Sequence, residues 1–404
     1  MRRAAMLRVA FLLVCAMAVV SVTCGCGPVT AETPATPPVV RIAPALDSVR
    51  ARPGRGLVIR ATGGTLSQVA ALTGGEPVPG RLDAERRVWR SDWTLKPGAE
   101  YTVAATATSP GGPATVLAGH FRTRPAQETF GLAATAPLPG ETVGVGMPVI
   151  LDFDRPIEDK AAVERALEVR SGHPAEGAWR WAGDTRVIYR TRRFWTPRQR
   201  VTVTAHLAGV RAADGVHGAV DSTFAFTVGR AQTSVVDTRT HRMTVERDGR
   251  TAQRMAISAG MATTREYTTT SGVHLTMDKG DPVRMISPGR EEGDPGYYDL
   301  LIEHAVRISD SGEYIHAKDN VWAQGRRNVS HGCVNARPDQ AAWFYASALR
   351  GDPVTITGTR RELAWDNGWG FWQLTWERWI QGSALRAADS AGERVPSGLT
   401  PGLG

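Results

Sequence analysis

Short runs in which apolar and polar positions alternate recur through the first two-thirds of the chain. In residues 39–124 they include Leu57-Val58-Ile59, Val88-Trp89, Tyr101-Thr102-Val103 and the stretch 116–123. Turn clusters such as Gly63-Gly64, Gly74-Gly75 and Pro110-Gly111-Gly112 separate them. Period-two alternation broken this often predicts a β-sandwich. Residues 126–229 repeat the theme. Pro97 with Thr102-Val103 is echoed by Pro197 with Thr202-Val203, and both halves close on an aromatic strand, Phe121-Arg122-Thr123 and Phe224-Ala225-Phe226-Thr227. The echo predicts two tandem domains of one type. The second has one helical stretch, 159–169, with Ala162, Val163 and Leu167 on one face. His120, His173, His206 and His217 are isolated and read as surface or packing residues.

A third region opens near Ala231. Ser234-Val235-Val236-Asp237 and Arg242-Met243-Thr244-Val245 flank a turn, and Asp248-Gly249 is a hairpin signal before Arg254-Met255-Ala256-Ile257. A helix is predicted over 338–350, with Pro338 in its first turn, Gly351 after its end and Pro353 beyond. Asp339 and Arg350 suit its dipole, and Ala342, Tyr345, Ala346 and Leu349 form its expected apolar face. Downstream, Trp365, Trp369, Trp372, Trp376 and Trp379 follow a spacing that lines one helical face. Such a stripe could meet glycan or a membrane interface, but packing on the protein's own domains is the favoured reading. Residues 386–404 are rich in Ala, Gly, Ser and Pro and are expected to be disordered.

Composition narrows the class. With 404 residues, 42% hydrophobic and 22% charged, the chain is no collagen, no fully disordered protein and no polytopic membrane protein. The formal charge of +8 is scattered, without a basic stripe or a recognisable nucleic-acid module, so no nucleic-acid partner is expected. An anionic cell envelope suits the charge equally well.

The start of the chain reads as an export signal. Arg2, Arg3 and Arg8 form a positive segment before an apolar run over 9–22. That run is short for a span of about 20 residues. Gly25-Cys26 then resembles the end of a bacterial lipoprotein signal, with Cys26 as the lipid carrier and Cys24 the less suitable choice. Residues 26–38 contain Pro28, Pro34, Pro37 and Pro38 and read as a tether. The expected location is the extracytoplasmic face of the cell membrane, lipid-anchored in its outer leaflet. Of the four cysteines, Cys15 and Cys24 leave with the signal, Cys26 is lipidated, and Cys333 remains alone. Exported chains normally pair their cysteines, so a solitary one calls for a chemical reason.

That reason lies in its neighbours. Cys333 sits in Val329-Ser330-His331-Gly332-Cys333-Val334-Asn335, and Ser311-Gly312-Glu313-Tyr314-Ile315-His316-Ala317 lies upstream. A thiol is a weak nucleophile until a base or a positive field acts on it. His316 could supply that base if its strand and the motif loop are neighbours. His331, two residues before Cys333, is a second candidate. Gly332 clears a side chain where backbone amides must approach an oxyanion. A zinc site built from His304, His316, His331 and Cys333 would have a spacing unlike any common site, so neither metal nor cofactor is expected.

These residues resemble the L,D-transpeptidase catalytic domain, also called the YkuD domain, whose signature is a histidine, a spacer, then Ser-His-Gly-Cys-x-Asn or -Arg. The match is to the actinobacterial lipoprotein type with two immunoglobulin-like domains. The resemblance implies a mainly β chain: signal 1–25, tether 26–38, immunoglobulin-like sandwiches 39–124 and 126–229, a β-rich catalytic domain with one main helix over 231–358, a Trp-rich extension 359–385 and a tail 386–404. The sandwiches are treated as spacers. It implies Cys333 as nucleophile, His316 as base and later acid, and the Ala317 carbonyl as the group orienting His316. It implies His331, Gly332 and Cys333 as the oxyanion and motif loop. Tyr298, Ser311, Gly312, Ser330, Asn335 and Met285 take substrate-contacting positions, Met285 on a flap. The implied reaction is acyl transfer on peptidoglycan stem peptides: a cysteine thioester forms, D-alanine leaves, and a 3→3 cross-link results. Carbapenem-type β-lactams are expected to acylate Cys333. A tetrapeptide-trimming L,D-carboxypeptidase and a non-catalytic wall-binding protein are the alternatives, and a monomer is expected.

Overall fold

The computed structural model of the protein describes residues 36–287 and 289–391. The export signal, Cys26, most of the tether and residues 392–404 of the expected tail lie outside the described residues.

Each of the first two domains is a mainly antiparallel sandwich with its own core. In the first, one sheet joins Val39–Ala43, Val58–Thr62, Val88–Ser91 and Gly80–Leu82, and the other joins Glu76–Pro77, Thr65–Thr73, Glu100–Thr108 and Ala114–Arg122. Along Glu100–Thr108 the residues Tyr101, Val103, Ala105 and Ala107 are buried while their neighbours are not, the two-residue period of a half-buried strand. They close on Leu57, Ile59, Leu66, Trp89 and Phe121. The second sandwich encloses Trp179, Tyr189, Trp195 and Phe226.

The helix predicted over 159–169 is shorter. It spans Lys160–Arg165, with Asp159 accepting from the Ala162 amide at 3.1 Å as its cap. Leu167–Ser171 is instead a strand paired with Val201–Ala205. Leu167, Glu168 and Val169 are all buried there, which suits a strand covered on both sides and not one helical face.

The third domain is built on a nine-stranded sheet. Its order is Gly272–Leu275, Pro353–Thr357, Gln232–Asp237, Arg242–Arg247, Arg250–Ser258, Val334–Ala336, Tyr314–Ala317, Ala305–Arg307 and Lys279–Gly280. Asp248 and Gly249 both take positive φ, 51° and 76°, in the two-residue hairpin turn. The main helix runs Pro338–Ser347. Its buried residues are Ala341 and Phe344, and Ala346 is exposed, so the expected apolar face was out of phase. Phe344 sets the phase because burying its ring gains more than burying alanine methyls.

The tryptophans of the extension do not share one helix. A 3-10 turn, Gly370–Gln373, and a short helix, Trp376–Ile380, fold them around two arginines of the second sandwich. The Arg190 guanidinium lies over Trp372, Trp379 and Trp376 at 4.7, 4.8 and 5.4 Å, and Arg180 lies over Trp365 at 4.5 Å. Burial, aided by the charge of Arg180, lowers Arg190 to about 10, so it stays charged at neutral pH. Trp379 is fully buried and donates to the Ala178 carbonyl at 2.9 Å. The same segment reaches the third domain, where Gln373 accepts from the Val273 amide at 2.7 Å. The tail also departs from expectation: Asp389–Ala391 pairs with Ala175–Gly177 as a strand.

The second and third domains interlock through the backbone. The Gly144 and Gly146 amides donate to the Arg350 and Gly351 carbonyls at 2.7 and 2.9 Å. Arg350, expected to serve the helix end, pairs with Glu141 at 3.2 Å and lies over Trp369 at 5.1 Å. Removing the Trp379 ring should destabilise the chain by about 3–5 kcal/mol, the cost of deleting a buried tryptophan. Denaturant unfolding of the Trp379→Ala chain checks this; a loss under about 1 kcal/mol would mean the extension is not held by its core.

Candidate active site

Two adjacent parallel strands bring the chemistry together. Ile315 pairs with Val334, His316 with Asn335 and Ala317 with Ala336. Cys333 directly precedes the second strand, two residues before Asn335. In extended chain it therefore shares a face with His316. The His316 Nδ1 lies 2.8 Å from the Ala317 carbonyl oxygen. A carbonyl can only accept, so Nδ1 carries the proton and Nε2 keeps its lone pair. Ala317 thus orients His316 through its backbone.

Cys333 stands at the floor of a cleft of about 360 Å³ and is partly open to it. Met285, Tyr298, Ser311, Gly312, His331 and Gly332 line the same cleft. Met285 and Tyr298 come from a two-stranded flap, Val283–Ile286 with Asp299–Ile302, or its rim. The Cys333 thiol donates to the Gly312 carbonyl at 3.5 Å, and the Tyr314 amide donates to the sulfur. No hydrogen bond joins thiol to imidazole, so attack requires the thiol to turn from Gly312 toward His316, a tightening common when substrate enters.

Both partners rest neutral. Burial pushes the Cys333 thiol up to about 12, with the Tyr314 amide opposing and the Glu313 carboxylate adding to the rise. Burial lowers His316 to about 4, against the pull of the Ala317 carbonyl and with help from Lys318. The site therefore holds a thiol and a free imidazole at neutral pH, not a thiolate–imidazolium pair.

The His331 ring is exposed at the rim, 4.6 Å from Tyr267 edge-on and 5.1 Å from Tyr298. Gly332 differs from expectation. Its amide donates to Ser330 Oγ at 3.1 Å and so is not a free oxyanion donor. Among the described residues, the His331 and Cys333 amides have no acceptor and are the donors left for that task. Gly332 itself takes φ +135°, a conformation that L side chains rarely adopt.

Two expected substrate contacts turn inward. Ser330 is buried and closes the motif turn by donating to the Cys333 carbonyl at 2.5 Å. Asn335 is 5% exposed beside His316 and does not line the cleft, because its strand runs from the floor into the core. His304, counted in the zinc alternative, sits 2.7 Å from Asp281 instead. No group of three or more His, Cys, Asp or Glu is placed to hold a metal among the described residues.

Several residues that position the site carried no sequence signal of their own. Thr269 Oγ donates to the Gly332 carbonyl at 2.7 Å. Its neighbour Thr270 donates its amide and its hydroxyl to Glu313, each at 2.6 Å. His274 Nε2 lies 2.8 Å from the Thr270 hydroxyl and 3.8 Å from Glu313. Burial alone would raise the Glu313 carboxyl, but the bonds and charge of His274 and the bonds from Thr270 outweigh it and hold it below its ordinary value. One two-residue strap thus ties the motif loop to the loop whose Gly312 and Tyr314 hold the sulfur. Asn367, from the Trp-rich extension, bonds both the amide and the hydroxyl of Ser311 at 2.8 and 2.9 Å.

A profile of the L,D-transpeptidase catalytic domain matches residues 231–356. L,D-transpeptidase 2 of Mycobacterium tuberculosis is 33% identical over 81% of this chain and 80% of its own length. The chain belongs to the L,D-transpeptidase family. L,D-transpeptidase 5 of the same organism is 36% identical, over 79% of this chain and 71% of its own. A bacterial immunoglobulin-domain profile matches residues 48–211, crossing from the first sandwich into the second. The solved structure of an L,D-transpeptidase in complex with imipenem is 33% identical and covers 56% of this chain and 99% of its own, with a TM-score of 0.49.

For this L,D-transpeptidase, alkylation of Cys333 by iodoacetamide should be slow at pH 7 and climb without a plateau through the alkaline range toward about 12. A plateau at about pH 6–7 would mean that a thiolate–imidazolium pair already exists, contrary to the neutral state. Glu313→Gln removes a like charge behind the sulfur. It should raise the alkylation rate at fixed pH by about twofold to fivefold. An unchanged or lower rate, measured by mass spectrometry over time, would show that Glu313 does not act on the thiol.

Proposed function

We propose that this L,D-transpeptidase acts on peptidoglycan stem peptides and forms 3→3 cross-links. Cys333 attacks the carbonyl of the third stem residue while His316 Nε2 takes the thiol proton. The bond to the terminal D-alanine breaks, and His316 returns the proton to the leaving amine. A thioester on Cys333 remains. The side-chain amine of a second stem then attacks it, losing a proton through His316, and the sulfur leaves as the restored thiol. The observation that carries this reading is the parallel pairing of the His316 and Cys333 strands, with Nδ1 tied to Ala317 and Nε2 unprotonated.

The flap favours transfer to an amine over hydrolysis. Met285 and Tyr298 stand over the same cleft as the sulfur, and a covered thioester meets less water. This supports the transpeptidase over the carboxypeptidase. Carbapenems acylate Cys333 in this reading, which the imipenem complex of a relative supports. The charged start, the short apolar run and Gly25-Cys26 support export and lipid anchoring through Cys26 at the outer face of the cell membrane, where the chain works as a monomer.

Mass spectrometry of the purified full chain with a disaccharide-tetrapeptide tests the reaction. The expected product is a dimer lighter than two substrates by one D-alanine, absent with Cys333→Ala and reduced by a factor of about 100 or more with His316→Asn. A tripeptide alone would replace the transpeptidase with a carboxypeptidase.

A further inference from the structure

A second cavity, of about 760 Å³, is larger than the catalytic cleft and lies between the two sandwiches. Its floor is already assembled. Trp93 of the first sandwich stacks on His206 of the second, with ring centroids 3.5 Å apart. Thr94 donates its hydroxyl to the Ala208 carbonyl at 2.6 Å. At Gly209, φ +80°, a β-carbon would lie 2.0 Å from the Leu95 carbonyl oxygen, so the two domains touch where only glycine fits.

The walls carry more positive charge than the structure uses. Asp92 is held by Arg81 at 3.2 Å and Asp159 by Arg211 at 3.1 Å. Arg52, Arg55 and Arg124 also line the cavity, and they form no ion pair or side-chain hydrogen bond among the described residues. Only Asp214 is left on the walls to offset them. His217 points into the same space. It is 6% exposed, yet its Nδ1 has no partner in hydrogen-bond geometry. Burial opposes its protonation, as do the fields of Arg124 and Arg211, while the Gly215 backbone and Asp214 favour it. A cavity walled by guanidinium groups without carboxylate partners, with a largely buried imidazole beside them, suits an anion.

We propose that this cleft binds the carboxylates of peptidoglycan stem peptides, so that the enzyme grips its polymer at a place separate from the catalytic cleft. The proposal rests on the peptidoglycan reading above. Guanidinium groups match carboxylates with paired hydrogen bonds. The stems that the catalytic cleft takes end in free carboxylates and recur along each strand. A preformed floor saves the cost of ordering it on binding. Two sites on one polymer raise the local concentration of stems at Cys333.

The test is co-sedimentation of the full chain with isolated peptidoglycan sacculi. Arg52→Ala/Arg55→Ala/Arg124→Ala should weaken binding by about tenfold, the sum of three exposed charge pairs. Arg41→Ala/Arg60→Ala/Arg250→Ala removes the same charge elsewhere and should change binding little. Turnover of the soluble disaccharide-tetrapeptide should be unchanged in both, which separates this proposal from the catalytic reading. Amidating the sacculus carboxylates with a carbodiimide and ammonia should abolish the difference between wild type and the cleft variant. Wild-type binding by the cleft variant, or an equal fall in the control, would overturn the proposal. So would loss of binding after hydrofluoric acid strips phosphodiester polymers from the sacculi, since the ligand would then be a phosphate chain.

Discussion

A stretch of parallel pairing three residues long sets the strand of His316 beside the one that Cys333 leads into. Ile315, His316 and Ala317 lie against Val334, Asn335 and Ala336, and the thiol sits one residue before the pairing begins. A slip of one residue would send His316 to the opposite face of the sheet. The strands alone do not prevent that slip. Thr269 and Thr270, adjacent in the chain, hold the loops at both strand entries, one through Gly332 and one through Glu313. The chemistry therefore depends on a strap that touches neither reacting atom.

The electrostatics follow from the same arrangement. Burial of Cys333, with the Glu313 carboxylate adding to it, raises the thiol, and burying His316 lowers the imidazole, so neither ionises at rest. The cost is a nucleophile that waits for substrate before giving up its proton. The gain is selectivity, because the thiolate is the form that oxidants and stray electrophiles attack.

Much of this was legible in the sequence. Alternation located the sandwich strands, Asp248-Gly249 located a hairpin, Pro338 located a helix start, and the Ser-His-Gly-Cys string with His316 upstream located the site. The failures share a cause: they are contacts between positions far apart in the chain. Glu313 lies 43 residues from Thr270 and Asn367 lies 56 from Ser311, so no local pattern joins them. Ser330 and Asn335 sit in the motif, but burial, which motif matching does not measure, turns them from substrate toward structure. The tryptophan spacing suggested a helix, yet two arginines 180-odd residues earlier, Arg190 buried and Arg180 half-buried, reward a broken path that surrounds them. Helix phase failed for a plainer reason: one phenylalanine outweighed a stripe of alanines.

The joints between domains have a mechanical consequence. Gly209 meets Leu95 at the first joint, and Gly351 at the second leaves no room for a β-carbon against Met147. A side chain at either glycine would wedge two domains apart, so a single added methyl group at Gly209 or Gly351 would change the direction in which the catalytic mouth faces.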